Sequence, residues 1–185
     1  MMKTLRFRFN SEKFVNAVAY LALACPSSTK LSICKLLYFA DKEHLLRYGR
    51  PILGDHYYNL EHGPVPTRGL DMLRHKASAE EQALLEKYVA VIGNSVHPKR
   101  PANRKVFSKS DLLILDEVIA KYGHLPPFEL ISKTHAEPPW LKSQRGCPID
   151  YELFFKGRPE AAEMKEIVQR EQETRDLVSR YHAQR

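Results

Sequence analysis

KLLYFADKEHLLRYGRPILGDHYYNLEHGPVP, residues Lys35 to Pro66, decides how this chain folds. An apolar helix carries an acid in its middle, then runs into an aromatic strand and a Gly-Pro turn. Together with Leu31 just upstream, Cys34, Tyr38, Leu45 and Tyr48 recur at steps of three and four and share one helical face, which begins near Ser28 or Thr29. Gly49 and Pro51 stop the helix, because glycine suits the reversal after the last turn and proline cannot continue it. Advancing about 100° per residue places Asp41 near the centre of the apolar arc, with His44 on its flank and Lys35, Lys42 and Glu43 opposite. A carboxylate buried there costs several kcal/mol unless it is paired, so Asp41 is expected to meet a cation or backbone N–H groups. Arg50, His44 and His62 are the nearest candidates in sequence. In the strand that follows, Tyr57 and Tyr58 point to opposite faces, so one is core and the other exposed.

Upstream, Phe14, Val18, Leu21, Ala22 and Cys25 fall on one face of a first helix, capped by Asn10 or Ser11. Basic residues at Lys3, Arg6 and Arg8 before the apolar stretch Ala17 to Cys25 imitate an export signal, but Glu12, Lys13 and Asn16 crowd it. The expected location is the cytoplasm. Three cysteines, Cys25, Cys34 and Cys147, lack CxxC spacing and read as reduced thiols. No segment reaches the length of a membrane span.

Downstream, Thr67 to Lys76 reads as a short helix entered through the Pro64 and Pro66 turn, and Ser78 with Glu81 caps another. Val89 to Ile92, the turn Gly93-Asn94, Val96 and Val106-Phe107 predict a small antiparallel ribbon, with the basic segment His97 to Lys105 as its solvated tip. Ser108 and Asp111 form a capping pair, with Phe107 and Leu112 at staple positions; Leu112, Leu115, Val118, Ile119 and Tyr122 form the buried face, and Gly123 ends the helix. A further helix from Phe128 to Thr134 leads to a loop, THAEPPW, in which Trp140 reads as a core anchor, with a binding platform as the alternative. The charged stretch Glu160 to Arg185 favours helix. Its apolar residues are Met164, Ile167, Val168, Leu177, Val178 and Tyr181, and the stripe is broken by Glu171, Thr174 and Arg175.

A length of 185 residues with 43% hydrophobic content fits one domain, mainly α with small β hairpins, able to bury roughly 70% of its unfolded surface. Residues 1–155 are expected to form the domain and 156–185 a C-terminal helical extension packed on it or projecting from it. The net charge of +7 admits an acidic partner and makes nucleic acid a secondary expectation.

The chain has no Gly-rich phosphate loop, no GxSxG elbow, no HExxH and no cysteine–histidine set at zinc spacing. Asp41, His44, His56 and His62 are suitable ligand types for a metal, but a structural brace between helix and strand explains the same residues. Neither a metal nor a cofactor is expected.

The run KLLYFADKEHLLRYGRPILGD followed by HYYNLEHGPVP, with FSKSDLLILDEVIAKYG and THAEPPW further on, resembles the Panacea domain, the SocA-like and phage-associated antitoxin family. The resemblance covers about residues 10 to 155. It implies a mostly helical domain with small β elements, acting by protein binding rather than catalysis, whose members neutralise diverse toxins by direct contact. One branch delivers its toxin to the ClpXP protease. The family pattern falls on Asp41, His44, Gly49, Arg50, Gly54, Tyr57, His62, Gly63 and Pro64.

The first expectation is therefore an antitoxin that binds a cognate protein toxin and is not an enzyme. Tyr57, Tyr58 and Trp140 are the candidate contact residues, with the C-terminal helix as a site of partner choice. A metal-dependent or acid–base enzyme using Asp41, His44 and His62 is the alternative. A DNA-binding regulator depending on Lys99, Arg100, Arg104 and Lys105 is the third.

Overall fold

Thr29 and Ser32 start the central helix by a reciprocal cap: the Thr29 side chain accepts from Ser32 N–H, and the Ser32 side chain accepts from Thr29 N–H. The computed structural model describes residues 5–157, 159 and 161–183, without the side chains of 161, 175, 179, 182 and 183; Lys3, Glu160, Arg185 and the Arg175 side chain lie outside the described residues. In chain order the elements are α1 (Ser11–Ala24), α2 (Lys30–Tyr48), β1 (Tyr57–Leu60), β2 (Gly63–Pro66), α3 (Thr67–Leu73), α4 (Ala79–Tyr88), β3 (Val89–Ile92) and β4 (Ser95–Pro98). Then come α5 (Lys109–Tyr122), α6 (Pro127–His135), α7 (Pro138–Lys142) and α8 (Ala161–Ala183). Short 3-10 turns lie at Arg104–Val106 and Tyr151–Phe155. The fold is mainly α with two separate two-stranded antiparallel sheets, β1–β2 and β3–β4.

α2 is the axis of the molecule, packed against α1, α5, α6 and β2. Ser32 through Asp41 are buried without a break, so no side of α2 along this stretch faces water. This corrects the placement of Lys35 on a solvent face: Lys35 is 1% exposed. Tyr48, counted on the apolar face, is 39% exposed at the far end of the helix. Aromatic rings fill the space beside α2. Tyr38 meets Tyr57 edge-on at 5.4 Å and lies 5.6 Å from Phe154, and Phe39 stacks on Tyr122 at 4.2 Å. Each ring buried in this way contributes about 1.5–3 kcal/mol through the water it sheds.

The β1–β2 hairpin pairs Tyr57 with Pro66 and Leu60 with Gly63. Segment 147–149 lies along its other edge, where Ile149 N–H donates to Tyr57 O at 2.7 Å and Asn59 N–H to Cys147 O at 3.0 Å. Gly63 has φ +91, and a Cβ there would lie 2.5 Å from Thr134 Oγ1 and 2.9 Å from Lys35 Nζ, so only glycine fits between hairpin, α2 and α6.

The second ribbon turns at Gly93-Asn94, and its Val96 N–H donates to Ser28 O at 2.9 Å. The segment His97 to Lys105 is not its tip. It leaves β4 and continues into the 3-10 turn, and Val106-Phe107 is not a strand. α5 opens with the expected Ser108–Asp111 capping box and ends at Gly123 in a right-handed conformation. Ile114 is part of its buried face, while Leu112 and Ile119 are half-buried. Trp140 lies in the short helix α7, not in a loop.

α8 seats on the body in its first half. Val168 is buried near Gly49, Gln172 exchanges two hydrogen bonds with the backbone of Arg6, and Lys165 pairs with Glu152 at 3.1 Å. Leu177 and Val178, further along, are exposed. Among the described residues no helix is long and apolar enough to cross a membrane, and the three cysteines are free.

Candidate functional site

Asp41 projects from α2 into a site with no solvent contact. Its Oδ1 accepts from Leu53 N–H at 2.8 Å and its Oδ2 from the Tyr57 hydroxyl at 3.0 Å. Neither Arg50, His44 nor His62 reaches it, which corrects the partners expected from proximity in sequence. The acid instead ties α2 to the loop before β1 and to β1 itself. Burial pushes its carboxyl up to about 7, against the opposing pull of Leu53 N–H and the Tyr57 hydroxyl. Burial and the neighbouring Asp41 likewise hold the Tyr57 phenol well above its ordinary value. The loop carrying Leu53 is fixed by Gly54, whose φ is +70 and whose Cβ would lie 2.6 Å from Arg8 O.

His44 and Arg50 meet a different acid, Asp111. His44 Nδ1 lies 2.6 Å from Arg50 O; a carbonyl only accepts, so Nδ1 carries the proton. On the other side His44 Nε2 is 3.0 Å from both Asp111 Oδ1 and Ser110 Oγ. Asp111 also accepts from Arg50 Nη2 at 2.8 Å, Lys13 Nζ at 2.6 Å and Ser108 N–H at 3.0 Å. Burial alone would raise this carboxyl, but the bonds from His44, Lys13 and Ser108 N–H and the charge of Arg50 hold it well below the usual carboxylate range. Its place in the first turn of α5 adds the favourable field of the helix N-terminus. One fully enclosed carboxylate thus joins α1, α2, the loop after α2 and α5. The sequence marked Asp111 only as a cap; its role as counter-ion to Lys13 and Arg50 and as hydrogen-bond partner of His44 carried no local signal.

A third acid, Asp55, is buried at the start of α3, where it accepts from His56 N–H, Arg68 N–H and Gly69 N–H. These bonds oppose the upward push of burial on its carboxyl. His56 and His62 are exposed and stand apart from Asp41 and His44. Among the described residues no group of three or more His, Cys, Asp or Glu side chains is placed to hold a metal ion.

The candidate contact residues divide in the same way. Tyr57 is 1% exposed and spent on Asp41, so it offers no surface to a partner. Tyr58 and Trp140 are half-buried; the Trp140 ring stacks on His135 at 3.9 Å and its Nε1–H donates to Leu60 O at 3.2 Å. The basic segment lies on the body: Arg100 sits over Tyr88, Arg104 over Tyr20, and Lys99 Nζ donates to Glu86 O.

This is a helical domain whose most chemically suggestive residues are used to hold its segments together. Residues 33–141 match the family described as antitoxin SocA-like, Panacea domain; the match covers more than half of the chain, and the chain belongs to that family. No curated protein and no solved structure matches it.

Proposed function

We propose that this chain is the antitoxin of a toxin–antitoxin pair and neutralises a cognate protein toxin by direct contact, without catalysis of its own. The observation that carries this reading is membership of the SocA-like antitoxin family across residues 33–141. The burial of Asp41, His44 and Asp111 supports it, since an acid–base pair needs access to a substrate and each of these groups bonds inside the fold. Neutralisation by contact needs a stable platform with an exposed recognition surface beside it.

The test is co-expression with the small open reading frame adjacent to this gene. Growth arrest on inducing the neighbour alone, relieved when this chain is supplied, is the expected outcome; a neighbour harmless to cells lacking this chain overturns the proposal. The toxin's half-life in the protected cells separates two routes. Masking leaves it unchanged or longer, whereas delivery to ClpXP shortens it only in cells that contain the protease.

A further inference from the structure

A groove of about 530 Å³ opens between the first turns of α2, the turn of the β1–β2 hairpin, the end of α3 and the start of α6. Leu31, Leu60, Val65 and Leu70 give it apolar walls, and Lys30, Lys35, His62 and Arg74 surround them with basic groups. Glu61 is the only acid in the lining, and none of the four basic side chains is in an ion pair among the described residues.

Lys35 is the unusual member. It is buried, and among the described residues its ammonium donates one hydrogen bond, to Pro64 O at 2.8 Å, although it carries three N–H groups. A buried cation with one acceptor is held at a cost unless a negative charge arrives. Burial lowers its pKa to about 8, which leaves it mostly protonated at neutral pH. Two buried carboxylates are better supplied: Asp111 has Lys13 and Arg50 paired with it and His44 Nε2 within hydrogen-bond distance, and Asp55 has three N–H donors.

We propose that this groove is the docking site for an acidic, apolar segment of the protein partner, a leucine- or phenylalanine-bearing stretch flanked by aspartate or glutamate. The apolar side chain enters between Leu31, Val65 and Leu70 while the carboxylate enters the field of Lys30, Lys35 and Arg74. The inference rests on the reading of this chain as a protein-binding antitoxin and names the recognition surface that reading lacks.

The test selects random dodecapeptides displayed on phage against the immobilised full chain, followed by affinity measurement of the enriched peptides. Expected are peptides with Asp or Glu beside Leu or Phe, whose binding weakens at least tenfold in the double variant Lys30→Glu/Arg74→Glu, weakens in Lys35→Met, and falls with added salt. Lys30 and Arg74 are partly or fully exposed, so the double variant keeps the fold, as its thermal melt will report. Enrichment of peptides without acids, peptides that bind the double variant as well as the wild type, or no enrichment at all overturns the groove assignment. Growth protection distinguishes this failure from that of the antitoxin reading: a double variant that protects as fully as wild type removes the groove and leaves the antitoxin in place.

Discussion

Asp41 and Asp111 show how opposite environments set the behaviour of two buried carboxyls. Asp111 has Lys13, His44 and Arg50 around it, so Asp111→Ala removes the one acceptor these three groups share and should cost about 2–3 kcal/mol in a denaturant titration. A loss below 1 kcal/mol would show that the cluster is not holding the segments together. Asp41 has hydrogen bonds but no cation, and its folded value is raised from 3.8 to about 7. The folded state therefore binds the proton more tightly than the unfolded chain, and the stabilisation from that proton is complete below about pH 4 and lost as pH rises through about 7. Asp41→Asn removes this dependence. The melting temperature of the variant relative to wild type should rise between pH 4 and pH 7 and stay level above; a pH-independent difference contradicts the raised value. Asp111, with its lowered value, acts in the other direction and loses its contribution only as pH falls below the ordinary carboxylate range.

The hairpin and the last helix depend on local fits that single substitutions can break. Gly63→Ala puts a Cβ on a positive-φ backbone against Thr134 and Lys35, and should destabilise the chain by more than about 1 kcal/mol. Val168 is the fully buried side chain of α8 among the described residues, so Val168→Ala should cost about 1–2 kcal/mol in a denaturant titration; no measurable loss would contradict the docking of α8. Elements with strong local grammar were legible in the sequence: the helix start near Ser28 or Thr29, the cap at Ser108, the turn at Gly93-Asn94 and the alternation at Tyr57 and Tyr58 all depend on residues within a few positions of one another. What depended on distant segments was not. A helical wheel finds one apolar stripe, whereas α2 is wrapped by α1, α5, α6 and β2, so Lys35 lies inside a face that composition marks as polar. Arg50 was a reasonable partner for Asp41 by proximity, but its guanidinium reaches Asp111, 61 positions on.

The molecule as a whole is a platform in which Asp41, His44, Arg50 and Asp111 do structural duty. Asp41 joins α2 to the hairpin, His44 and Arg50 join it to α5 through Asp111, and Gly63 lets the hairpin approach α2 and α6. Partner choice is then expected on the surfaces beside that framework, the basic apolar groove and the exposed end of α8, where substitutions alter binding without unfolding the chain. The measurement that tests this most directly is a calorimetric titration of the purified chain with the product of the adjacent gene. A saturable complex, formed in vitro by the same neighbour whose toxicity the chain relieves, is the predicted result. Relief of toxicity with no detectable complex at micromolar concentrations would contradict neutralisation by direct contact.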